Sequence, residues 1–329
     1  MFYRWVQQSF ACDFYVHAGV EAHRSHVLLE SVTLPEVDRK TAITRYRKAQ
    51  YDVVFSHGMF YRRNTFLLSG PSTQLVVLTE PMSPIATGWH KQLIKSMIIK
   101  RYARLHRLSI LLLGPASAIT AFSQPVGKEV PFSTYGYFPD ISPQKNIKQA
   151  TQPPIEIVFA GQFIERKNIR AILEAAALSS AVRSGACRIT MTGAGPLVDL
   201  VRQSPHIRYA GLLPQDALHS LLCASDILIL PSKYDGWGAI VNEAAACGCM
   251  VLLSDQVMAS STFLKEDITG QYISTQGAEM AIHIDALCDK PASIAYMKSQ
   301  MQTHYQSLID AHDSLIQKHL EHATTHPTV

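Results

Sequence analysis

Short apolar runs alternate with polar, helix-like stretches through residues 1–140. The apolar runs predict buried strands at residues 12–18, 51–56, 75–79 and 108–113. Between them, the spacing of apolar positions predicts helices over residues 35–50 and 88–107. Because strands and helices alternate, we expect an α/β fold with a parallel sheet covered by helices.

The same alternation is clearer in the second half of the chain. A polar, proline-containing segment at residues 142–154 is interpreted as an interdomain linker. Beyond it, strands are predicted at residues 155–160, 187–192, 207–210, 227–230 and 250–253, and helices at residues 169–179, 197–203, 214–224, 239–247 and 292–322. This order is typical of a doubly wound nucleotide-binding domain.

Size and composition set the class of protein. A chain of 329 residues exceeds what one ordinary core supports, so we expect two domains. The net charge of +4 suits an anionic small ligand or a membrane surface and is too small for a dedicated nucleic-acid binder. Six cysteines without a C-x-x-C pair, and no apolar signal or spanning segment, predict reduced thiols in a cytoplasmic protein.

The strongest chemical signal lies at residues 230–255, where a buried strand leads into a glycine-containing loop and a helix. We expect Gly236 and Gly238 to allow close backbone approach and positive φ. The N–H groups that open the helix form an anion site suited to a diphosphate, and they belong to Trp237, Gly238, Ala239 and Ile240.

Two carboxylates bracket this loop. Asp235 precedes the helix and Glu243 lies within it, an arrangement that suits the recognition of hydroxyl groups on two parts of one extended ligand. The alternative is structural, with Asp235 capping the helix and Glu243 a buried carboxylate.

Two further strand-to-helix turns carry candidate residues. In FAGQFIERKN (residues 159–168), Arg166 and Lys167 lie where a crossover meets the ligand crevice, and a cation there would help a diphosphate to leave. An ordinary solvated pair is the alternative. In TGAGPL (residues 192–197), Gly193 and Gly195 are better explained by a tight turn than by a dinucleotide fingerprint.

The motifs FAGQFIERKN, TGAGPL, YAGLLPQDALHSLLCASDILILPS and YDGWGAIVNEAAACG, in this order, resemble the C-terminal domain of glycosyltransferase family 4. The likeness covers residues 155–255, and the first half resembles the acceptor domain of that family more loosely. It implies the GT-B fold, with two Rossmann-like doubly wound domains facing a central cleft. Residues 1–145 would bind the acceptor and residues 152–299 the nucleotide-sugar donor, while a helix at about 300–329 would pack back on the first domain.

The resemblance also implies roles for individual residues. Asp235 and Glu243 match the family's E-x7-E element, whose first acid contacts the donor sugar and whose second contacts the ribose. The family has an arginine just after the strand-end glycine, here Gly161, and a lysine five residues later, which Lys167 matches. Gln162 stands where the family has an arginine, and Arg166 is the candidate to replace it.

On the acceptor side, Glu80 and His57 end two predicted strands and are candidates to lie near the reacting carbon. A loop or core imidazole is an equal alternative for His57. No metal site is expected, because His17, His23 and His26 have no carboxylate at a familiar spacing and no Asp-x-Asp occurs. We therefore expect a mechanism without a metal or other cofactor.

Residues 88–108 combine basic and apolar side chains, so this helix is a candidate for peripheral contact with the anionic inner face of the plasma membrane. An amphipathic helix packed on the sheet, with a solvated basic face, is the alternative.

Together with these features, the resemblance implies a retaining glycosyltransferase. It would move a sugar from a UDP- or GDP-sugar to a hydroxyl of a glycan or lipid-linked acceptor, in the synthesis of cell-surface polysaccharide. A nucleotide-sugar epimerase of the same architecture and a donor-binding subunit without catalysis are the alternatives.

Overall fold

A computed structural model of the chain describes residues 16–17, 36–37, 39–48, 53–57, 74–79, 89–113, 132–135 and 152–324. The chain divides into two compact units, one formed by Met1–Gly136 with Ala311–Val329 and the other by Tyr137–Asp310. Each unit contains a parallel β-sheet and α-helices.

The described part of the first unit contains two parallel sheets. One pairs β1 (Val16–His17) with β2 (Glu36–Val37). The other has the order β3-β4-β5-β6, formed by Val53–His57, Gln74–Thr79, Arg107–Leu113 and Phe132–Tyr135. The helices are α1 (Arg39–Lys48) and α2 (Trp89–Leu105). The helix predicted to begin at residue 35 is corrected here, because residues 36–37 pair with β1 as a strand.

The second unit has a six-stranded parallel sheet with the order β12-β11-β10-β7-β8-β9. Its strands are β7 (Ile155–Ala160), β8 (Cys187–Thr192), β9 (Ile207–Tyr209), β10 (Ile227–Leu230), β11 (Met250–Leu253) and β12 (Gly270–Tyr272). The first strand, β7, is central, and the chain builds outward from it in both directions. The strand order therefore reverses between β7 and β10, which is the doubly wound arrangement.

Helices connect the strands of this sheet. They are α3 (Ile169–Leu178), α4 (Ser180–Ser184), α5 (Val198–Gln203), α6 (Gln215–Cys223), α7 (Ile240–Ala246), α8 (Ser260–Phe263), α9 (Gly277–Cys288) and α10 (Pro291–Thr324). Every residue of β10 and β11 is buried, which is why both strands appear in the sequence as continuous apolar runs.

A buried ion pair fastens α10 to this sheet. The Lys298 ammonium donates to Asp226 Oδ1 at 2.7 Å and to the Ser225 carbonyl at 3.3 Å. The other carboxylate oxygen of Asp226 accepts from the Glu156 N–H at 3.0 Å. The side chains of Lys298 and Asp226 are only 5% and 0% exposed. Removal of either charge would leave the other buried without a counter-ion, which strongly destabilises a fold.

Two observations concern the thiols and the helices. The five cysteines that the structure describes are free, as predicted, while Cys12 lies outside the described residues. Across the described ranges, no helix is both long enough and apolar enough to cross a bilayer.

Candidate functional site

The loops that carry the candidate residues follow β7 and β10, the two neighbouring strands between which the order of the sheet reverses. In an open parallel sheet, ligands bind outside the carboxyl ends of the strands at this reversal, where two loops diverge and leave a crevice. The sheet topology therefore brings residues 161–168 and 231–239 to the same edge, although about seventy residues separate them along the chain.

The centre of this edge is an ion pair between the two loops. Lys167 ends a 3₁₀ turn that spans Glu165–Lys167, and its ammonium donates to Asp235 Oδ2. Both side chains are nearly buried, at 11% and 9% exposure. The sequence predicted a lysine for phosphate and an acid for sugar, and the structure places the two groups in direct contact.

Arg166 lies beside the same carboxylate. Its Nη1 atom is 3.6 Å from Asp235 Oδ1 and donates to the Tyr234 carbonyl at 3.0 Å. The Arg166 carbonyl accepts from the Lys233 N–H at 2.8 Å, so backbone and side chain both join the loops. Arg166 remains 45% exposed and Gln162 is exposed, which leaves both within reach of a ligand.

The loop after Asp235 is tightly packed. Gly238 has φ +89°, and a Cβ atom there would lie 2.9 Å from Val257 Cγ1, so the position requires glycine. The positive φ expected for Gly236 is wrong, because Gly236 is not among the residues with positive φ. Trp237 is buried and donates through Nε1 to Asn242 Oδ1 at 2.8 Å, which fixes the loop against the helix.

The start of α7 determines which amides a ligand can use. The N–H groups of Val241 and Asn242 already donate to the Gly238 and Ala239 carbonyls, at 2.8 and 3.1 Å. Ala239 is exposed and Ile240 is half-buried, and both precede the first intrahelical bond. Since α7 has only 7 residues, its dipole is small and local hydrogen bonds would dominate anion binding.

His219 of α6 contacts Glu243 of α7 and was not identified from the sequence. The distance between His219 Nε2 and Glu243 Oε2 is 3.6 Å, and the side chains are 20% and 16% exposed. The interaction with Glu243 raises the pKa of His219, with a further contribution from Asp216, while burial opposes the rise. Only the packing of α6 on α7 reveals this pair, since the two residues show no recognisable spacing.

Backbone packing explains the glycines that follow β7 and β8. A Cβ atom at Gly193 would overlap the Gly161 carbonyl oxygen, and one at Gly195 would lie 2.6 Å from the Phe163 carbonyl oxygen. Gly161, Gly193 and Gly195 have φ of 155°, 144° and 148°. The Phe163 N–H donates to Ala194 O at 2.8 Å, so the two turns form one hydrogen-bonded layer at the crevice.

The structure does not describe the side chains of the two acceptor-side candidates. His57 is the last residue of β3, but its side chain is not described, and Glu80 lies outside the described residues. Within the described part of the chain, no group of three or more His, Cys, Asp or Glu side chains is placed to hold a metal ion.

The second half of the chain is similar to a known protein family. Residues 154–290 match the model of the family described as Glycosyl transferases group 1. The O-antigen chain mannosyltransferase B of Escherichia coli is 29% identical over 106 residues, and this match covers 30% of the chain. The chain spans only 28% of that protein's length.

Solved structures share the fold at low sequence identity. TarM of S. aureus, solved with UDP, has TM-score 0.63 and 14% identity, with 83% of this chain and 57% of TarM covered. HepE of Anabaena, also solved with UDP, has TM-score 0.66 and 14% identity over 86% and 82% of the two chains. Sucrose-phosphate synthase from Thermosynechococcus elongatus has TM-score 0.64 and 15% identity over 90% and 83%.

These likenesses confirm the α/β fold of GT-B type and the resemblance to group 1 transferases, while membership of family 4 stays a prediction. The sheet order, the paired loops and the family match all fall on the same segment. Residues 154–290, which carry these loops, are therefore the part of the chain that is similar to the Glycosyl transferases group 1 family.

Proposed function

We propose that the chain is a retaining, family 4 glycosyltransferase. It moves a sugar from a UDP- or GDP-sugar to a hydroxyl of a glycan or lipid-linked acceptor in the synthesis of cell-surface polysaccharide. The observation that carries the proposal is the cluster of Lys167, Arg166 and Asp235 at the point where the sheet order of a group 1 domain reverses. TarM and HepE, which share the fold, were solved with UDP, and this supports a UDP-linked donor.

The donor would lie across the two loops. Lys167 and Arg166 would meet the diphosphate, together with the amides of Gly238, Ala239 and Ile240, and Glu243 would accept hydrogen bonds from the ribose. Asp235 would then face the sugar hydroxyls. Lys167 pairs with Asp235 in this structure. When the donor binds, this contact would weaken as Lys167 turns to the diphosphate and Asp235 to the sugar.

The chemistry follows from this placement. The bond between the anomeric carbon and the diphosphate oxygen breaks as the acceptor oxygen attacks from the same face, and the acceptor proton passes to the departing diphosphate. Lys167, Arg166 and the loop amides stabilise the charge on the leaving group, so the proposed mechanism needs no metal. Glu80 and His57 are proposed to line the acceptor side.

A specific observation favours a second candidate, a donor-binding subunit without catalysis. Gln162 occupies the position of the family's arginine, and the Asp235 carboxylate is paired with Lys167 and lies 3.6 Å from Arg166. Calorimetry with UDP and GDP, followed by assays of nucleotide release from UDP- and GDP-sugars with and without glycan acceptors, separates the candidates. Acceptor-dependent release supports transfer, while binding without release on any acceptor supports the subunit. Conversion of the sugar without an acceptor supports an epimerase.

The roles are tested by substitution. Glu243→Ala should weaken nucleotide binding about ten- to hundredfold, because a carboxylate that accepts ribose hydrogen bonds is lost. The matched control, Glu279→Ala at an exposed position of α9, should leave the affinity unchanged. Glu80→Ala should spare nucleotide binding and lower transfer. Equal losses of affinity from Glu243→Ala and Glu80→Ala would contradict these assignments.

A further inference from the structure

Helix α2 of the first unit buries one side and leaves apolar groups on the other. Ile99 and Tyr102 are 0% and 1% exposed, whereas Ile94, Met97 and Leu105 are 55%, 69% and 37% exposed. At 100° per residue, the three exposed side chains fall within an arc of about 80°. The helix is therefore not simply packed on its sheet with a polar outer face, because its outer face is partly apolar.

Cationic side chains share this outer face. Lys100, Arg101 and Arg104 are all exposed, and they lie among the three apolar residues within an arc of about 140°. Asp and Glu are absent from the helix, whose cations are Lys91, Lys95, Lys100, Arg101 and Arg104. These five charges exceed the net charge of the whole chain, +4, so the rest of the chain carries a slightly negative net charge.

Helix α1 provides an internal comparison. It also carries five cations and no acid, namely Arg39, Lys40, Arg45, Arg47 and Lys48. None of its described side chains is an exposed large hydrophobic group. The described part of α1 thus carries basic charge without exposed large apolar groups, while α2 pairs comparable charge with apolar groups that water solvates poorly.

We propose that the outer face of α2 docks the protein on an anionic lipid bilayer. Ile94, Met97 and Leu105 would enter the boundary between headgroups and acyl chains, while the neighbouring cations contact lipid phosphates. A nucleic acid or an acidic protein surface would satisfy the cations and leave the apolar groups unexplained, so the bilayer fits both observations. The inference does not depend on the proposed sugar transfer, since it rests on the first unit alone.

The test is flotation of the full chain with phosphatidylcholine vesicles that contain either no phosphatidylglycerol or about one third of it. Binding should require the anionic lipid and weaken as salt rises above about 0.1 M. Ile94→Ser with Met97→Ser should lower the partition coefficient at least about tenfold. The matched control, Leu178→Ser with Ile282→Ser, removes similarly exposed apolar groups from the second unit and should have no effect.

Charge substitutions distinguish binding through α2 from a general attraction of the basic protein to anionic lipid. Arg101→Gln with Arg104→Gln should lower partitioning about 25-fold, since each cation near an anionic surface contributes about fivefold. Arg47→Gln with Lys48→Gln, which removes the same charge from α1, should cause a much smaller loss. The proposal is overturned if anionic vesicles do not bind the chain, or if the apolar pair has no effect. Equal losses of vesicle binding from the two double charge variants would overturn it too. So would tighter binding to a polyanion such as heparin, if that binding is unchanged by Ile94→Ser with Met97→Ser.

Discussion

Replacement of Gly195 by alanine tests how the turns at the crevice are held. The new Cβ atom would lie 2.6 Å from the Phe163 carbonyl oxygen and 2.9 Å from its nitrogen, both of them backbone atoms. The turn must move by more than half an ångström to reach an ordinary contact, which is about 3.3 Å or more between carbon and oxygen. Such a shift strains the bonds from Phe163 N to Ala194 O at 2.8 Å and from Leu197 N to Phe163 O at 3.1 Å.

The expected loss of stability combines backbone strain with the weakened hydrogen bonds. A backbone near φ 148° costs a residue other than glycine about 1–3 kcal/mol. Weakening two hydrogen bonds adds about 1 kcal/mol each, so we expect a loss of about 3–5 kcal/mol. For a unit of this size, the melting temperature should fall by roughly 10 °C, measured by thermal unfolding of the full chain.

Gly185→Ala is the matched control. Gly185 has φ +80°, but a Cβ atom there would meet nothing within 4 Å, so only the backbone strain of about 1–2 kcal/mol applies. If the Gly195 and Gly185 variants melted within a few degrees of each other, the close packing of the two turns would be refuted.

Three further substitutions probe the second unit. Lys298→Met should cost about 3–5 kcal/mol in urea unfolding, because it leaves Asp226 charged and buried, and adding Asp226→Asn should restore part of the loss. Asp285→Ala should cost about 1–3 kcal/mol, since the carboxylate accepts bonds from the N–H groups that begin α4. Burial opposes ionisation of Asp285, but these bonds and two from serine hydroxyls lower its pKa to about 2. The difference in stability between the variant and wild type should therefore disappear only as the pH falls from about 4 towards 2. His219→Gln should destabilise the chain most below pH 6.5, and the difference should shrink as the pH rises through the raised pKa of His219, because the ion pair with Glu243 needs the protonated ring.

Much of the second unit could be predicted because its strands are buried on both faces. The strands at residues 155–160, 187–192, 227–230 and 250–253 have the predicted bounds. Two of them, at residues 227–230 and 250–253, are the continuous apolar runs that mark strands buried on both faces, while the other two are interrupted by Glu156 and by Arg188. By contrast, β12 at the sheet edge has three residues and no apolar run, so the sequence pattern did not predict it.

The site shows a similar division. The loops were predictable because glycine, acid and base recur at the ends of strands. The direct contact of Lys167 with Asp235 and of His219 with Glu243 was not, because each pair depends on how two separate elements pack. The φ of Gly236 was predicted wrongly for a related reason. Several backbone paths satisfy the sequence DGWG, and packing of Gly238 against Val257 selects one of them.

The most direct test of the account is a crystal structure of the chain with a UDP- or GDP-sugar bound. The account predicts the diphosphate beside Lys167 and the amides of Gly238–Ile240, the ribose hydroxyls on Glu243, and the sugar next to Asp235. A diphosphate bound elsewhere, with the ion pair of Lys167 and Asp235 intact, would contradict it.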